Sequence, residues 1–264
     1  MIQFETFIGM VERIAPPELS EEWDHSGIQI SCGSGQVQRV LLCLDVTQPV
    51  ICEAQELGVD LIISHHPFIF DGIYSLDSND PMGHKIQDLI QSNISVYSAH
   101  MTYDKSNMGN TVQMSKRLGL SGFPLTGKAS GEDQDFSVLI ASLKVPIQLD
   151  ELINKIRIGL DLEQSEIRLV HGNAKPIVKI GLCAGSGGEY LEQIVKEECQ
   201  VFITGDVKYH LAMDAMDAGI TIIDPGHFGT EKFFASDFAS QLAIYAGPDV
   251  SIFQSKFDKN PFIT

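Results

Sequence analysis

The sequence predicts an α/β fold, in which strands covered on both faces alternate with amphipathic helices. RVLLCLDV (39–46) is a continuous apolar run of the kind that a strand buried on both faces shows. Residues 48–58 then have helical spacing and end at Gly58, and DLIIS (60–64) forms a second buried strand. A strand, a helix and a strand in this order form a βαβ unit, so the two strands should be parallel.

The same alternation of helices and strands continues on both sides of this unit. An amphipathic helix is predicted over 3–14, and the unit is followed by a helix over 84–93, a strand over 95–100 and a helix over 111–120. A loop rich in Gly, Ser and Asp (126–135) interrupts the pattern, and we place a domain boundary there.

Beyond this loop the chain reads as a second series of similar elements. We predict strands over 136–143, 165–172, 178–185, 201–205, 221–226 and 250–255, and helices over 146–159 (with Pro146 at its start), 189–199, 210–219 and 230–246. The fold class is therefore α/β, with two similar domains and mixed, largely parallel sheets.

Composition and charge narrow the classes of function. The 264 residues are 44% hydrophobic and 20% charged, which is ordinary for a globular protein, and the formal net charge is -17. So acidic a chain is repelled by polyanions, so we expect no nucleic-acid partner and no membrane partner. A small anionic substrate stays compatible with this charge, because a metal ion reverses the local field.

The N-terminal residues and the cysteines favour a cytoplasmic location. The first residues carry acidic groups where a signal peptide needs basic ones, and no long apolar stretch follows. The five cysteines are an odd number without a C-x-x-C pair, which indicates a reducing compartment. Cys43 and Cys183 lie in apolar runs and should be buried.

Candidate metal ligands follow the predicted strands, at the ends where parallel α/β sheets place their functional crevice. They are Asp45, His65, His66, His100, Asp104, His227 and Glu231. At a strand end two neighbouring imidazoles can diverge, which suits two ions in one pocket better than one ion bound twice. Asp104 or Glu231 would bridge such ions, and mixed His and carboxylate ligation suits zinc, iron or manganese.

Several of these residues have a second interpretation. His100 is either a ligand or a residue that orients one, and Asp45 either caps the next helix with Thr47 or lies at the metals. Glu231 should open the helix over 230–246, where the helix dipole favours a carboxylate. His25 faces the cleft or braces its loop, whereas His84 and His171 are interpreted as structural.

Two further segments compete for a role in the site. GLCAGSGGEYL (181–191) combines a strand, a glycine-rich turn and a helix, so it forms either a phosphate cradle or a plain tight turn. TGDVKYH (204–210) ends a strand and carries Asp206, Lys208 and His210, which would also project into the crevice.

A set of short motifs in fixed order resembles a known family. The motifs are EEWDHSGIQI, LDVT, SHHPFIF, AHMTYD, GSGG, TGDVKYH and GHFGTE. In this combination the chain resembles the NIF-three-like family of dinuclear-metal-centre proteins, labelled GTP cyclohydrolase I type 2 homologs. The resemblance covers essentially the whole chain. His25 stands where the family usually has Asn, and His100-Met101-Thr102-Tyr103-Asp104 stands for H-T-N-x-D.

The resemblance implies a ligand set, an architecture and an assembly. The ligands would be His65, His66, Asp104, His227 and Glu231, holding two divalent ions per chain. The metal pair would lie in a cleft between two α/β domains, comprising residues 1–126 with 232–264 and residues 127–231. Family members assemble as homohexamers, so a homo-oligomer is expected.

Two classes of function follow from these expectations. The first is a metal-dependent hydrolase with a small-molecule, nucleotide-like substrate, in which His100 or His210 carries a proton. The resemblance implies that water opens the imidazole ring of GTP and that formate leaves; a phosphoester hydrolase uses the same type of centre. The second is a metal-binding, carrier or regulatory interaction protein without catalysis.

Overall fold

The computed structural model describes residues 1–32, 35–126, 134–172 and 176–262. The chain divides into two compact units: the first is Met1–Tyr103 with Phe233–Asp258, and the second is Asp104–Lys232 with Lys259–Thr264. Each unit has its own β-sheet and its own helices, which confirms the predicted α/β class.

The elements are numbered in chain order. The strands are β1 (Ile2–Gln3), β2 (Gly27–Ile30), β3 (Gln36–Val37), β4 (Arg39–Cys43), β5 (Leu61–Ser64), β6 (Ser95–Ser98), β7 (Gly122–Thr126), β8 (Asp135–Ile147), β9 (Arg168–Val170), β10 (Ile177–Leu182), β11 (Val201–Ile203), β12 (Thr221–Asp224) and β13 (Ser251–Gln254). The helices are α1 (Phe4–Glu12), α2 (Gln48–Leu57), α3 (Pro81–Gln91), α4 (Met101–Asp104), α5 (Asn110–Arg117), α6 (Leu149–Gly159), α7 (Leu191–Lys196), α8 (Tyr209–Asp217), α9 (His227–Glu231) and α10 (Phe234–Ala246).

The main sheet of the first unit has the strand order β13-β4-β5-β6-β2. Its first four strands are parallel, and β2 pairs antiparallel with β6 at the edge. Every residue of β5 and of β6 is buried, as expected for parallel strands covered on both faces. The parallel pairing of β4 with β5 confirms the predicted βαβ unit, and it brings the ends of both strands to the same edge.

Helix α2 shows how local sequence shapes this unit. Pro49 lies in its first turn, where its missing N–H group has no helical partner to lose. The helix ends at Gly58, whose φ of 60° is the left-handed conformation that glycine adopts readily. Val50 and Ile51 are fully buried in the core under the sheet. The helix therefore returns the chain to β5 in the parallel direction.

The sheet of the second unit is mixed, with the order β7-β8-β10-β11-β12-β9. Its central strands β10, β11 and β12 are parallel, and β8 and β9 pair antiparallel with β10 and β12. Ile194, Phe202 and Ile222 are fully buried in its core. The parallel centre again gathers several strand ends at one edge.

The division between the units differs from the predicted domain boundary. Residues 104–126, predicted in the first domain, belong to the second unit, because β7 pairs antiparallel with β8 from Gly122 opposite Ala141. Lys232 and Lys259–Thr264 also belong to the second unit, whereas 232–264 were predicted in the first domain. Within the predicted boundary loop, residues 127–133 lie outside the described part of the chain.

Two predicted helix starts are wrong. The helix predicted over 230–246 is two helices, α9 and α10, so Glu231 ends a short helix instead of opening a long one. Gly226, with φ 79°, lets the chain turn directly into α9, and near-zero ψ at Phe233 separates the helices. Pro146 lies in the long strand β8, and α6 begins after Gln148.

Cys43 and Cys183 are both buried, as predicted. No helix within the described ranges is both long and apolar enough to cross a membrane.

Candidate metal centre

The two adjacent histidines of the first unit stand directly after β5. The backbone N–H of His65 donates to the carbonyl of Cys43 at 3.1 Å, and that of His66 donates to the carbonyl of Leu44 at 3.0 Å. These bonds continue the pairing with the β4 segment past the end of β5, which fixes both backbones. The ring centroids are 4.9 Å apart, and a ring nitrogen of each lies within 4.8 Å of one of the other.

A third imidazole, that of His100, lies beside this pair. His100 follows the neighbouring strand β6. Its ring centroid lies 5.3 Å from that of His65 and 5.9 Å from that of His66. One ring nitrogen of His100 is also within 4.8 Å of one of His65. The ends of two adjacent parallel strands therefore gather three imidazoles, which is a ligand type suited to zinc, iron or manganese.

An oxygen atom holds Nδ1 of each of these three rings. The partners are the Ala99 carbonyl for His65 (2.9 Å), an Asp45 carboxylate oxygen for His66 (2.9 Å) and an Asp24 carboxylate oxygen for His100 (2.7 Å). A carbonyl or a carboxylate accepts the Nδ1–H, so the lone pair of each neutral imidazole lies on Nε2. This is the arrangement that metal-binding histidines show in proteins.

Asp24 is a functional candidate that was not predicted from the sequence. Its carboxylate is buried, which by itself raises its pKa. The hydrogen bonds from His100 and Ser26 outweigh that effect and lower the pKa below the usual value, so Asp24 is ionised at neutral pH. The sequence carried no signal for this position, because it depends on the unpredicted strand β2: Gly27 pairs with Ser98 and so brings Asp24 beside His100.

The structure distinguishes between the interpretations of Asp45 and His25. Thr47 makes no side-chain capping bond to α2, and Asp45 accepts from His66. Asp45 therefore orients a candidate ligand. His25 is exposed, and its ring packs edge-on against Phe70 with the centroids 5.8 Å apart, which favours the bracing role.

The second unit has its own group of candidate ligands on the short helix α9. His227 and Glu231 are one turn apart, and Nε2 of His227 lies 3.0 Å from an oxygen of Glu231. Asp206, after β11, accepts from Nδ1 of His227 at 2.8 Å. Burial lowers the pKa of His227, but the hydrogen bonds and charges of Glu231 and Asp206 outweigh this effect and raise the pKa to about 9. A metal at Nε2 therefore displaces a proton.

Asp104 and Glu231 both lie near the buried thiol of Cys183 in this unit. Burial raises the pKa of Cys183 well above its usual value, and the charges of Asp104 and Glu231 raise it further. Asp104 ends α4, and its carboxylate accepts a hydrogen bond from the Asn110 side chain at 2.9 Å. Both carboxylates are thus held in the same region of the second unit, as oxygen ligands for a metal should be.

The glycine-rich turn after β10 supports Glu231 and is used internally. The backbone N–H groups of Gly185 and Gly187 donate to the hydroxyls of Thr230 and Thr204, at 2.9 and 2.8 Å. These donors are already occupied, which favours the tight turn over the phosphate cradle. A Cβ at Gly185 would lie 2.3 Å from an oxygen of Glu231, so only glycine leaves room for that carboxylate.

The remaining histidines and Lys208 lie on exposed surfaces. His84 faces Asp88 one turn later on α3, and His171 is exposed after β9; their structural role stays a prediction. Lys208 precedes α8 and is exposed. His210 is exposed in the first turn of α8 with its ring edge-on to Tyr209, and its role as a proton carrier stays a prediction.

Taken unit by unit, the described chain is an α/β protein with groups of histidine and carboxylate side chains suited to binding metal. Sequence comparison then assigns the family. The profile of the Duf34/NIF3 (NGG1p interacting factor 3) family matches residues 2–261, and the chain belongs to this family.

Relatives and solved structures are similar over most of the chain. A Lactococcus lactis protein called GTP cyclohydrolase 1 type 2 homolog is 30% identical over 264 residues, which cover 99% of each chain. A Helicobacter pylori protein called GTP cyclohydrolase 1 type 2 is 32% identical over 227 residues, or 86% of each chain. The crystal structure of a Bacillus cereus protein related to NIF3 matches 99% of each chain with a TM-score of 0.88 at 22% identity, which supports the fold.

Proposed function

We propose that this chain is a metal-dependent hydrolase that binds two divalent ions and acts on a nucleotide-like substrate. The observation that carries the proposal is shared by four histidines, in both units. His65, His66, His100 and His227 each direct Nδ1 to an oxygen acceptor, so that Nε2 is the ring nitrogen left to meet a metal or a proton.

The proposed ligands are the five residues that the family resemblance implied. They are His65, His66, Asp104, His227 and Glu231. The nitrogen and oxygen donors of this set fit zinc, iron or manganese. His65 and His66 lie in the first unit, and Asp104, His227 and Glu231 lie in the second.

His100 with Asp24 has the geometry of a proton-carrying pair. Bound ions would supply Lewis acidity and lower the pKa of a coordinated water. Nε2 of His100 would accept a proton, and the ionised Asp24 would stabilise the imidazolium that forms. Asp24 also fixes the orientation of the ring, so that Nε2 is presented in one direction only. We therefore propose that His100 acts in catalysis and that His65 and His66 bind metal.

The substrate class is suggested by the name of the Helicobacter pylori relative, GTP cyclohydrolase 1 type 2. For GTP, hydrolysis of the imidazole ring of the purine releases formate and leaves the triphosphate intact. A phosphoester hydrolase with the same ligands would release phosphate instead. The two products therefore separate the two chemistries.

The deciding experiment measures formate and phosphate separately from GTP. Zinc-, iron- and manganese-reconstituted protein is compared with the Glu231→Gln variant, which keeps the size of the side chain but removes its charge. Formate release by the wild-type protein that is lost in the variant supports the proposal. Phosphate alone identifies a phosphoester hydrolase. Neither product from a protein shown to retain its metal would favour a metal-binding or carrier protein.

A further inference from the structure

The chain has a single tryptophan, Trp23, and this residue is 52% exposed. Burial in the core therefore does not explain its position. Its ring centroid lies 6.1 Å from that of His100, with the two ring planes 79° apart. The exposed indole ring of Trp23 thus adjoins the imidazole of His100, which we assign to proton transfer.

The segment that carries Trp23 is fixed to the His100 region by several hydrogen bonds. Asp24 accepts from Nδ1 of His100, and the hydroxyl of Ser26 accepts from the His100 backbone N–H at 3.1 Å. The Asp24 backbone N–H also donates to the carbonyl of Glu21 at 3.0 Å. An exposed ring on so constrained a segment loses little conformational entropy when a ligand covers it.

A second exposed aromatic contact lies next to Trp23 in the chain. The ring of His25 packs edge-on against Phe70, which is 50% exposed. Asp24, between Trp23 and His25 in the chain, is buried. The segment is therefore anchored by its polar residue, while the aromatic residues on either side remain accessible to a ligand.

We propose that Trp23 is the stacking surface for a planar aromatic ring, in particular a nucleobase, beside the imidazoles of the first unit. This inference rests on the proposed function, since it states how the nucleotide-like substrate would be recognised. The net charge of -17 repels a triphosphate wherever no metal ion offsets it. The base is neutral, so the protein can bind this part of the ligand without electrostatic repulsion. Stacking on an indole tolerates every base, because each base presents a π face.

Because Trp23 is the only tryptophan, its fluorescence reports directly on this surface. Zinc-reconstituted protein would be titrated with GTP, ATP and UTP, and with inorganic triphosphate as the probe without a ring, while binding is measured in parallel by equilibrium dialysis. We expect saturable quenching by the nucleotides and none by triphosphate. We expect Trp23→Leu to weaken nucleotide binding by roughly 5- to 100-fold and Trp23→Phe to restore part of it.

Tyr74 provides the matched control, because it is a fully exposed aromatic residue of the same unit. Tyr74→Leu should leave nucleotide binding unchanged, and circular dichroism should show that both leucine variants fold. The proposal is overturned if no nucleotide quenches the fluorescence, if triphosphate quenches it equally, or if the emission changes only with protein concentration, which would mean that a second copy covers Trp23. Quenching without release of formate or phosphate would retain this surface and reject the hydrolase; turnover without quenching would do the reverse.

Discussion

Substitution of Gly185 by alanine tests whether the space beside Glu231 serves metal binding. The added Cβ would lie 2.3 Å from the nearer Glu231 oxygen, whereas ordinary contact begins at 3.4 Å. The carboxylate must therefore retreat by about 1.1 Å, the difference between these distances. Metal–ligand distances tolerate shifts of only about 0.2 Å, so Glu231 would be displaced from any ion that it binds.

The expected loss is about 10- to 100-fold in metal affinity, or roughly 1.4–2.7 kcal/mol, as for the loss of a residue that supports a ligand. Alanine also has to adopt φ +64° at this position, which lowers the free energy of unfolding by about 1–2 kcal/mol. Metal affinity would be measured by competition with a chromophoric chelator, and the free energy of unfolding by urea titration of the metal-free protein.

Gly219→Ala separates these two effects. Gly219 lies in the same unit with φ +72°, and a Cβ there meets no atom of the described residues within 4 Å. It should therefore lower the free energy of unfolding by a similar amount and leave metal affinity unchanged. If Gly185→Ala binds metal as tightly as Gly219→Ala does, Glu231 is not a ligand that depends on this space, and the reasoning is wrong.

Three further predictions test individual side chains. His66→Ala should lower the metal content by at least one ion per chain in elemental analysis, whereas His84→Ala should not; two ions retained in His66→Ala would exclude this ligand. Asp24→Asn should reduce turnover by about 10- to 100-fold and change its pH profile while the metal content is kept, because an amide no longer stabilises a protonated His100; an unchanged profile would contradict the paired role. Burial, with the charges of Asp45 and others, raises the pKa of Asp258 to about 6. The contribution of Asp258 to the free energy of unfolding is therefore complete below the usual carboxylate pKa and is lost as the pH rises through about 6. Asp258→Asn should thus increase the free energy of unfolding of the metal-free protein by about 1–2 kcal/mol near pH 8 and by less near pH 5, measured with urea; an equal change at both would show that the carboxylate is not responsible.

The sequence predicted most of the elements that hold candidate ligands, because these strands are continuous apolar runs with polar residues directly after them. The predicted strand over 60–64 is β5, and His65 and His66 follow it as expected. Strand β2 was missed because it is a short edge strand with only one buried residue, which gives a weak apolar pattern. Without β2 there was no reason to place Asp24 beside His100, which is 76 positions away. The break between α9 and α10 was missed because the apolar pattern continues across it.

The partners of the four histidines follow a relation that only the strand order reveals. His66 follows β5 and its partner Asp45 follows the neighbouring β4; His65 follows β5 and its partner Ala99 follows the neighbouring β6. In the same way, His100 follows β6 and hydrogen-bonds to Asp24, which precedes the adjacent β2. His227 follows β12 and hydrogen-bonds to Asp206, which follows the adjacent β11.

Adjacent strands lie about 4.8 Å apart, so a residue at the end of one strand is within side-chain reach of the end of the next. Each unit therefore uses sheet pairing itself to fix the proton on Nδ1 and to present Nε2. It follows that a substitution that shifts the pairing of β2 with β6 should disturb His100 and leave the Asp45–His66 pair intact, since that pair depends on β4 and β5.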